Sequence, residues 1–166
     1  GGIVMYNTIS YHSPVGMLTL AGDKRGLAGL WIEGQKYFPD LTGQECAERP
    51  GSDLLQRTKA WLDRYFAGEK PAAGELPLSP KGSGFRKAVW KALCEIPYGE
   101  VASYGEIGRK LSQTSARAVG GAVGHNPISI IIPCHRVVGA NGNLTGYAGG
   151  IDRKRWLLEH EARGPS

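Results

Sequence analysis

Apolar and polar residues alternate along the first third of the chain. Residues 6–12, 17–22 and 27–32 are short runs with the period of half-buried strands. Between them, Ser13-Pro14-Val15-Gly16 and Asp23-Lys24-Arg25-Gly26 supply turn chemistry, so a three-stranded antiparallel meander is expected. Residues 33–51 lose the alternation and read as a polar loop in which Cys46 is incidental. From Ser52 the period lengthens. Leu54, Leu55, Thr58, Trp61, Leu62, Tyr65 and Phe66 recur at helical spacing and Gly68 follows as a stop, which predicts a helix packed on the sheet. Residues 71–84, with Pro71, Pro77 and Pro80 among glycines and serines, read as a linker.

The second half has the pattern of helices with short connections. Phe85, Ala88, Val89, Ala92 and Leu93 form one apolar face with Cys94 beside it. Ser103-Tyr104-Gly105-Glu106 is a capping box that opens a helix over 104–111. A second helix is expected over 115–123, with Arg117 in its first turn, and two short helices joined by a tight polar turn suggest helix-turn-helix. Ala116, Ala118, Gly120, Gly121 and Ala122 give that second helix a small-residue surface. Such a surface suits close approach either of another helix or of a nucleic-acid groove. Residues 128–132 are almost wholly apolar and β-branched between Pro127 and Pro133, which predicts a buried strand.

Composition narrows the class. The chain has 166 residues, 41% hydrophobic and 21% charged, as an ordinary globular protein does. No apolar run reaches the roughly 20 residues that span a bilayer, and no secretory pattern opens the chain, so a cytoplasmic location without membrane contact is expected. Three cysteines without metal-ligand spacing indicate neither a disulfide framework nor a zinc site. The net charge of +5 is uneven: residues 1–80 carry eight Lys/Arg against nine Asp/Glu, and residues 81–166 carry twelve against six. The second half is therefore the expected face for an anionic partner such as nucleic acid. Two units follow, 1–80 and 81–166.

Directly after the apolar run stand a thiol, an imidazole and a guanidinium: Cys134, His135 and Arg136. Pro133 lacks an N–H and fixes φ, so a bend there could bring Cys134 and His135 to one pocket. Read by itself, Cys134 fits better as a small core hydrophobe than as a reactive thiol.

Taken together, Arg117-Ala-Val-Gly-Gly-Ala122, Asn126-Pro127, Ile131-Ile-Pro-Cys-His-Arg-Val-Val138, Gly146-Tyr-Ala-Gly-Gly150 and Trp156-Leu-Leu-Glu-His-Glu161 resemble the O6-alkylguanine-DNA alkyltransferases. The resemblance is densest over 85–161, with a looser match at Ser13-Pro14-Val15-Gly16. It implies an α/β protein: a ribonuclease H-like amino-terminal unit of antiparallel sheet and one helix, then a winged-helix-like helical unit holding the helix-turn-helix. It also implies direct-reversal DNA repair, with one alkyl group moved from guanine O6, or thymine O4, in duplex DNA to the protein's own cysteine. Cys134 is the implied nucleophile, activated by His135 through a bridging water, with Glu161 orienting the imidazole and Asn126 holding the turn beneath the thiol. Tyr104 is implied in base flipping and proton donation, and Arg117 in filling the space the base vacates. Tyr147 is implied as a pocket wall, and backbone groups of Cys134, Val137 and Ala148 as contacts to the guanine edge. Ser129 and Arg136 complete the implied substrate- and DNA-binding set. Ala148 and Ser129 stand where some relatives have serine and proline, which bears on pocket breadth. Asp23 stands where a zinc-binding cysteine occurs in others, so no metal or cofactor is expected. A monomer that acts once and is destabilised by its own alkylation is the resulting expectation, with cooperative assembly on DNA left open. The rivals are a DNA-binding module without chemistry and a Cys-His thiol hydrolase.

Overall fold

The computed structural model describes residues 5–35, 45–48 and 52–163. Strand β1 (Met5–Ser13) pairs antiparallel with β2 (Gly16–Gly22), and β2 with β3 (Leu27–Ile32). Gly16 closes the first hairpin at φ +115°, a conformation that favours glycine. Asp23 holds the second turn, its carboxylate accepting from the N–H groups of Arg25 at 2.8 Å and Gly26 at 3.1 Å. That structural task occupies the residue set against a metal site above.

The sheet is larger than the pattern predicts. Strand β4 (Glu45–Glu48) pairs in parallel with β1, giving the order β3-β2-β1-β4. It lies inside the stretch read as a loop, of which 36–44 and 49–51 are outside the described residues. These four residues, Glu45-Cys46-Ala47-Glu48, carry no apolar run, and only the partner strand makes them a strand. The linker reading of 71–84 also needs correction. Leu27 donates to the Pro77 carbonyl at 2.8 Å and Ser79 to the Leu27 carbonyl at 2.7 Å, while Leu76 is buried in the core. Gly26 permits this approach, because a Cβ there would lie 2.4 Å from the Pro77 oxygen.

Helix α1 (Asp53–Phe66) follows its N-cap Ser52 and buries Leu55, Thr58, Trp61, Leu62 and Tyr65, as its period predicts. Each fully buried leucine contributes about 2 kcal/mol of transfer free energy. Helix α2 (Gly84–Cys94) buries Val89, Trp90, Ala92 and Leu93, whereas Phe85 and Ala88, expected on its apolar face, are exposed. The helix is rotated so that Trp90 Nε1 donates to the Ala122 carbonyl at 2.8 Å.

Strand β5 (Ala102–Ser103) leads into α3 (Tyr104–Lys110), whose capping box forms as expected: Ser103 Oγ takes the Glu106 N–H and Glu106 Oε1 the Ser103 N–H. Helix α4 (Ala116–Gly124), capped by Ser115, crosses α3 closely. A Cβ on Gly108 would lie 2.1 Å from the Thr114 oxygen, so only glycine admits this turn, in which Ser112 and Gln113 both take positive φ. Strand β6 (Val137–Val138) pairs in parallel with β5, and α5 (Ile151–Arg163) closes the described chain. One hydrophobic cluster runs through both halves, from Ile9 and Leu18 to Ile107, Val119 and Leu157.

Residues 128–132 are buried but do not form the predicted strand. Ile128 makes a single bridge to Leu30, and the chain then coils, with Ile130 at φ +72° and the Ile132 N–H returning to the Ile128 carbonyl at 3.1 Å. A β-branched residue at positive φ is strained by about 1–2 kcal/mol and needs outside support. Asn126 provides it, through Nδ2 to the Ile132 carbonyl at 2.8 Å and Oδ1 from the Ile128 N–H at 3.0 Å.

Candidate active site

The bend places Cys134, His135 and Arg136 in one 3-10 turn, all three buried. Cys134 is 4% exposed. Burial pushes its thiol pKa up, while the Asn126 amide and the positive charge of Lys154 oppose that shift. Asn126 thus serves the site twice, bracing the strained loop and facing the sulfur.

His135 is wholly buried, and its Nε2 lies 2.6 Å from Glu161 Oε2. An ionised carboxylate only accepts, so Nε2 carries the proton and Nδ1 presents a lone pair. Nδ1 is buried and has no hydrogen-bond partner among the described residues. Burial lowers the ring's pKa against the pull of Glu161, which keeps the imidazole neutral and able to accept a proton. For Glu161, burial alone would raise the pKa. Its bonds and charge contacts with His135 and Arg136 outweigh this and hold the carboxyl well below the usual range.

Arg136, expected to face DNA, does not. Its Nε and Nη2 reach Glu161 at 2.8 and 3.1 Å, its Nη1 donates to the Ile96 carbonyl at 2.7 Å, and it is 8% exposed. A buried guanidinium needs such a partner, and this one is spent inside the fold.

A cavity of about 250 Å³ opens nearby, lined by Tyr104, Gly120, Val123, Gly124, Gly146, Tyr147 and Ala148. Tyr147 is buried at its hydroxyl, within electrostatic reach of Cys134 and beside the buried Ser129. The Tyr104 oxygen accepts from Thr145 Oγ1 at 3.1 Å, which leaves its own proton free for the cavity. Val137 is fully buried in β6, its N–H returning to the Cys134 carbonyl. Arg117 stands apart, exposed on the first turn of α4.

These groups can do one kind of chemistry together: a thiol, a neutral base fixed by a carboxylate, and a cavity with a free phenolic proton suit nucleophilic displacement. Residues 5–80 match the family model described as the ribonuclease-like domain of 6-O-methylguanine DNA methyltransferase, and residues 84–163 its DNA-binding domain. The chain belongs to the 6-O-methylguanine DNA methyltransferase family. Similar relatives include the methylated-DNA–protein-cysteine methyltransferase of Mycobacterium tuberculosis strain H37Rv, 48% identical, covering 99% of this chain and 96% of that one. That of Haemophilus influenzae is 43% identical over 91% of this chain and 83% of its own. Among solved structures, Mycobacterium tuberculosis OGT in complex with DNA superposes with a TM-score of 0.83 at 47% identity, covering 98% of this chain and 96% of the other.

Two residues of this methyltransferase-family site escaped the sequence reading. Lys154 is fully buried, donates to the Thr145 carbonyl at 3.0 Å, and has no ion-pair partner among the described residues. Burial lowers its pKa, and the neighbouring Cys134 opposes the shift. The signal was present, since Lys154, Leu157 and Glu161 share one face of α5 at spacings of three and four. Tyr65 was read only as part of an apolar helix face, yet its hydroxyl donates to Glu161 Oε2 at 2.6 Å. Among the described residues no group of three or more His, Cys, Asp or Glu side chains could hold a metal ion, and no helix is long and apolar enough to cross a membrane.

Proposed function

We propose that this protein repairs DNA by direct reversal, taking an alkyl group from O6 of guanine onto Cys134, once per molecule. The observation that carries the reading is His135, next in the chain to the thiol of Cys134, locked on Glu161 through Nε2 and left with a buried Nδ1 that has no hydrogen-bond partner among the described residues. Nδ1 takes the Cys134 proton, directly or through water, and the thiolate attacks the alkyl carbon. The S–C bond forms as the C–O6 bond breaks, and the electron pair leaves with guanine. Tyr104 supplies a proton to the departing base. Electrons and protons balance with side chains alone, so no cofactor takes part. A thioether is not reversed by water, which makes the protein a reagent used once.

Reaching O6 requires the base to leave the stack. The solved DNA complex of the Mycobacterium tuberculosis relative supports duplex DNA as the partner. The face of α4 adds to this: Ala116, Arg117, Ala118 and Gly121 are exposed, and a Cβ on Gly121 would meet nothing within 4 Å. No helix packs there among the described residues, so of the two occupants the sequence allowed, a groove is favoured. In this reading α3, its turn and α4 are the helix-turn-helix, β5 and β6 the accompanying wing, and the first 80 residues a ribonuclease H-like unit. Arg117 fills the vacated stack. Arg117→Ala is expected to slow transfer from duplex by roughly tenfold or more while leaving transfer from a free alkylated guanine within about twofold. Equal losses on both substrates would remove the flipping role.

Lys154 supplies the counter-charge for the thiolate. Lys154→Met, which keeps the buried stem and removes the ammonium, is expected to slow transfer about tenfold for each unit the thiol pKa climbs. The gap should narrow as pH rises past the ordinary thiol range. A loss independent of pH would assign Lys154 to packing alone.

The test of the whole reading is intact mass after incubation with duplex DNA containing O6-methylguanine. One methyl per chain, saturating and mapping to the Cys134 peptide, is expected. Duplex binding without any mass gain would instead describe a lesion-binding module.

A further inference from the structure

Tyr65 lies in the amino-terminal half, on α1, yet it touches the carboxylate that fixes the candidate base. Its hydroxyl donates to Glu161 Oε2 at 2.6 Å, the oxygen that also meets His135 Nε2. Its carbonyl receives His160 Nε2 at 2.8 Å. One residue of α1 therefore grips two consecutive residues of α5. The ring cannot swing away: it is fully buried, stacked on Trp61 at 5.7 Å and edge-on to Phe66 at 5.1 Å and Tyr98 at 5.8 Å.

We propose that Tyr65 is a positioning residue of the transfer reaction, through which the amino-terminal half sets the orientation and basicity of His135 by holding Glu161. The inference rests on the function proposed above. Glu161 also faces Arg136 on both oxygens, the Gly99 N–H at 3.3 Å and the Tyr98 ring system, and His135 also faces Lys154. Among these described partners, Tyr65 alone comes from residues before 84. Its hydroxyl stays a neutral donor throughout the working range, because burial and the Glu161 charge push its pKa well above the ordinary value.

The physical consequence has a sign. A carboxylate oxygen shared among several donors, here Tyr65, His135 and Arg136 Nη2, places less of its charge on each. Without the Tyr65 hydroxyl, Glu161 pulls harder on the imidazole, His135 holds an acquired proton more tightly, and a protonated ring cannot accept from Cys134. The acid limb of the rate profile should therefore move to higher pH.

Tyr65→Phe removes one oxygen and keeps the stacked ring. The measurement is the single-turnover rate of methyl transfer from an O6-methylguanine duplex against pH, for wild type and Tyr65→Phe, each alone and combined with Glu161→Gln. Expected are a roughly three- to tenfold loss at neutral pH, a deeper loss in acid, and little further loss when Tyr65→Phe is added to Glu161→Gln. An acid limb that does not move overturns the proposal, as does the same loss factor in both backgrounds. Where Glu161→Gln does not fold, the position of the acid limb decides alone. A wild-type protein that transfers nothing removes the functional reading and this inference with it, whereas normal wild-type transfer with an unaltered Tyr65→Phe profile removes only the inference.

Discussion

Cys134→Ser should bind O6-methylguanine duplex within about twofold of wild type and gain no methyl, its transfer rate falling by roughly four orders of magnitude or more. A serine hydroxyl in this buried turn has no accessible anion, whereas the thiol needs only a modest push from His135 and Lys154. The control matters because Cys94 is also a free thiol, exposed at the end of α2. Desolvation raises the pKa of both thiols, so the substitution and not acidity separates them. Methyl uptake persisting in Cys134→Ser would move the chemistry to Cys94 or to Cys46. The same protein offers a stability readout. Cys134 is 4% exposed in a packed turn, so an added methyl should overpack it by about 1–3 kcal/mol and lower the melting temperature by several degrees. Equal melts before and after transfer would show that the turn absorbs the methyl.

Glu161→Gln should be the most damaging substitution that preserves shape. Glu161 is 3% exposed and joins His135, Arg136, Tyr65 and the Gly99 N–H. Loss of its charge leaves the Arg136 guanidinium buried without an anion, a change that costs about 3–5 kcal/mol. That is a large share of the 5–15 kcal/mol typical of a whole domain. Transfer should also slow by about a hundredfold or more, because the amide fixes neither the tautomer nor the charge of His135. The pH dependence of stability checks the cause. The Glu161 carboxyl is held below its unfolded value, so its contribution is complete above about pH 4.3 and drains as pH falls toward the folded pKa. His135 is also held below its unfolded value, so below about pH 6.5 the unfolded chain gains a proton that the folded ring refuses, and stability erodes further. Cys134 is raised, so above about pH 8.5 the unfolded thiol ionises first and stability declines again. Wild type should thus melt highest between these limits. Glu161→Gln should melt lower there and lose the step below about pH 4.3. A variant that keeps that step places the acid sensitivity in another carboxylate.

Local chemistry explains which parts were legible. The first three strands, α1 and the capping box of α3 appeared in the sequence because period, turn residues and caps act within a few positions. Strand β4 and the segment through Pro77 did not, since each is made extended by a neighbour far along the chain. Residues 128–132 misled for a different reason: an apolar β-branched run states that it is buried, not what path it takes. Side-chain bonds from Asn126 and the bridge to Leu30, with Ile130 forced to positive φ, chose a coil over a strand.

The candidate site divides the same way. Cys134 and His135 stand out as adjacent reactive groups, whereas Glu161, Asn126 and the cavity residues Tyr104, Tyr147 and Ala148 were named through the family resemblance of several separate motifs. Arg136 was named for the wrong surface: a cation beside a motif has no direction until the 3-10 turn aims it inward at Glu161. Sequence by itself determined the first three strands, α1, the capping box of α3, the thiol and its neighbouring imidazole, and the basic bias of the second half. Only tertiary structure decided that Lys154 lies buried toward the thiol and that Tyr65, 96 positions before Glu161, completes its hydrogen bonds. The reason is range. Periodicity and capping are set by bonds among near neighbours, whereas the field and orientation of a buried charge are set by whichever distant groups the packed core brings against it.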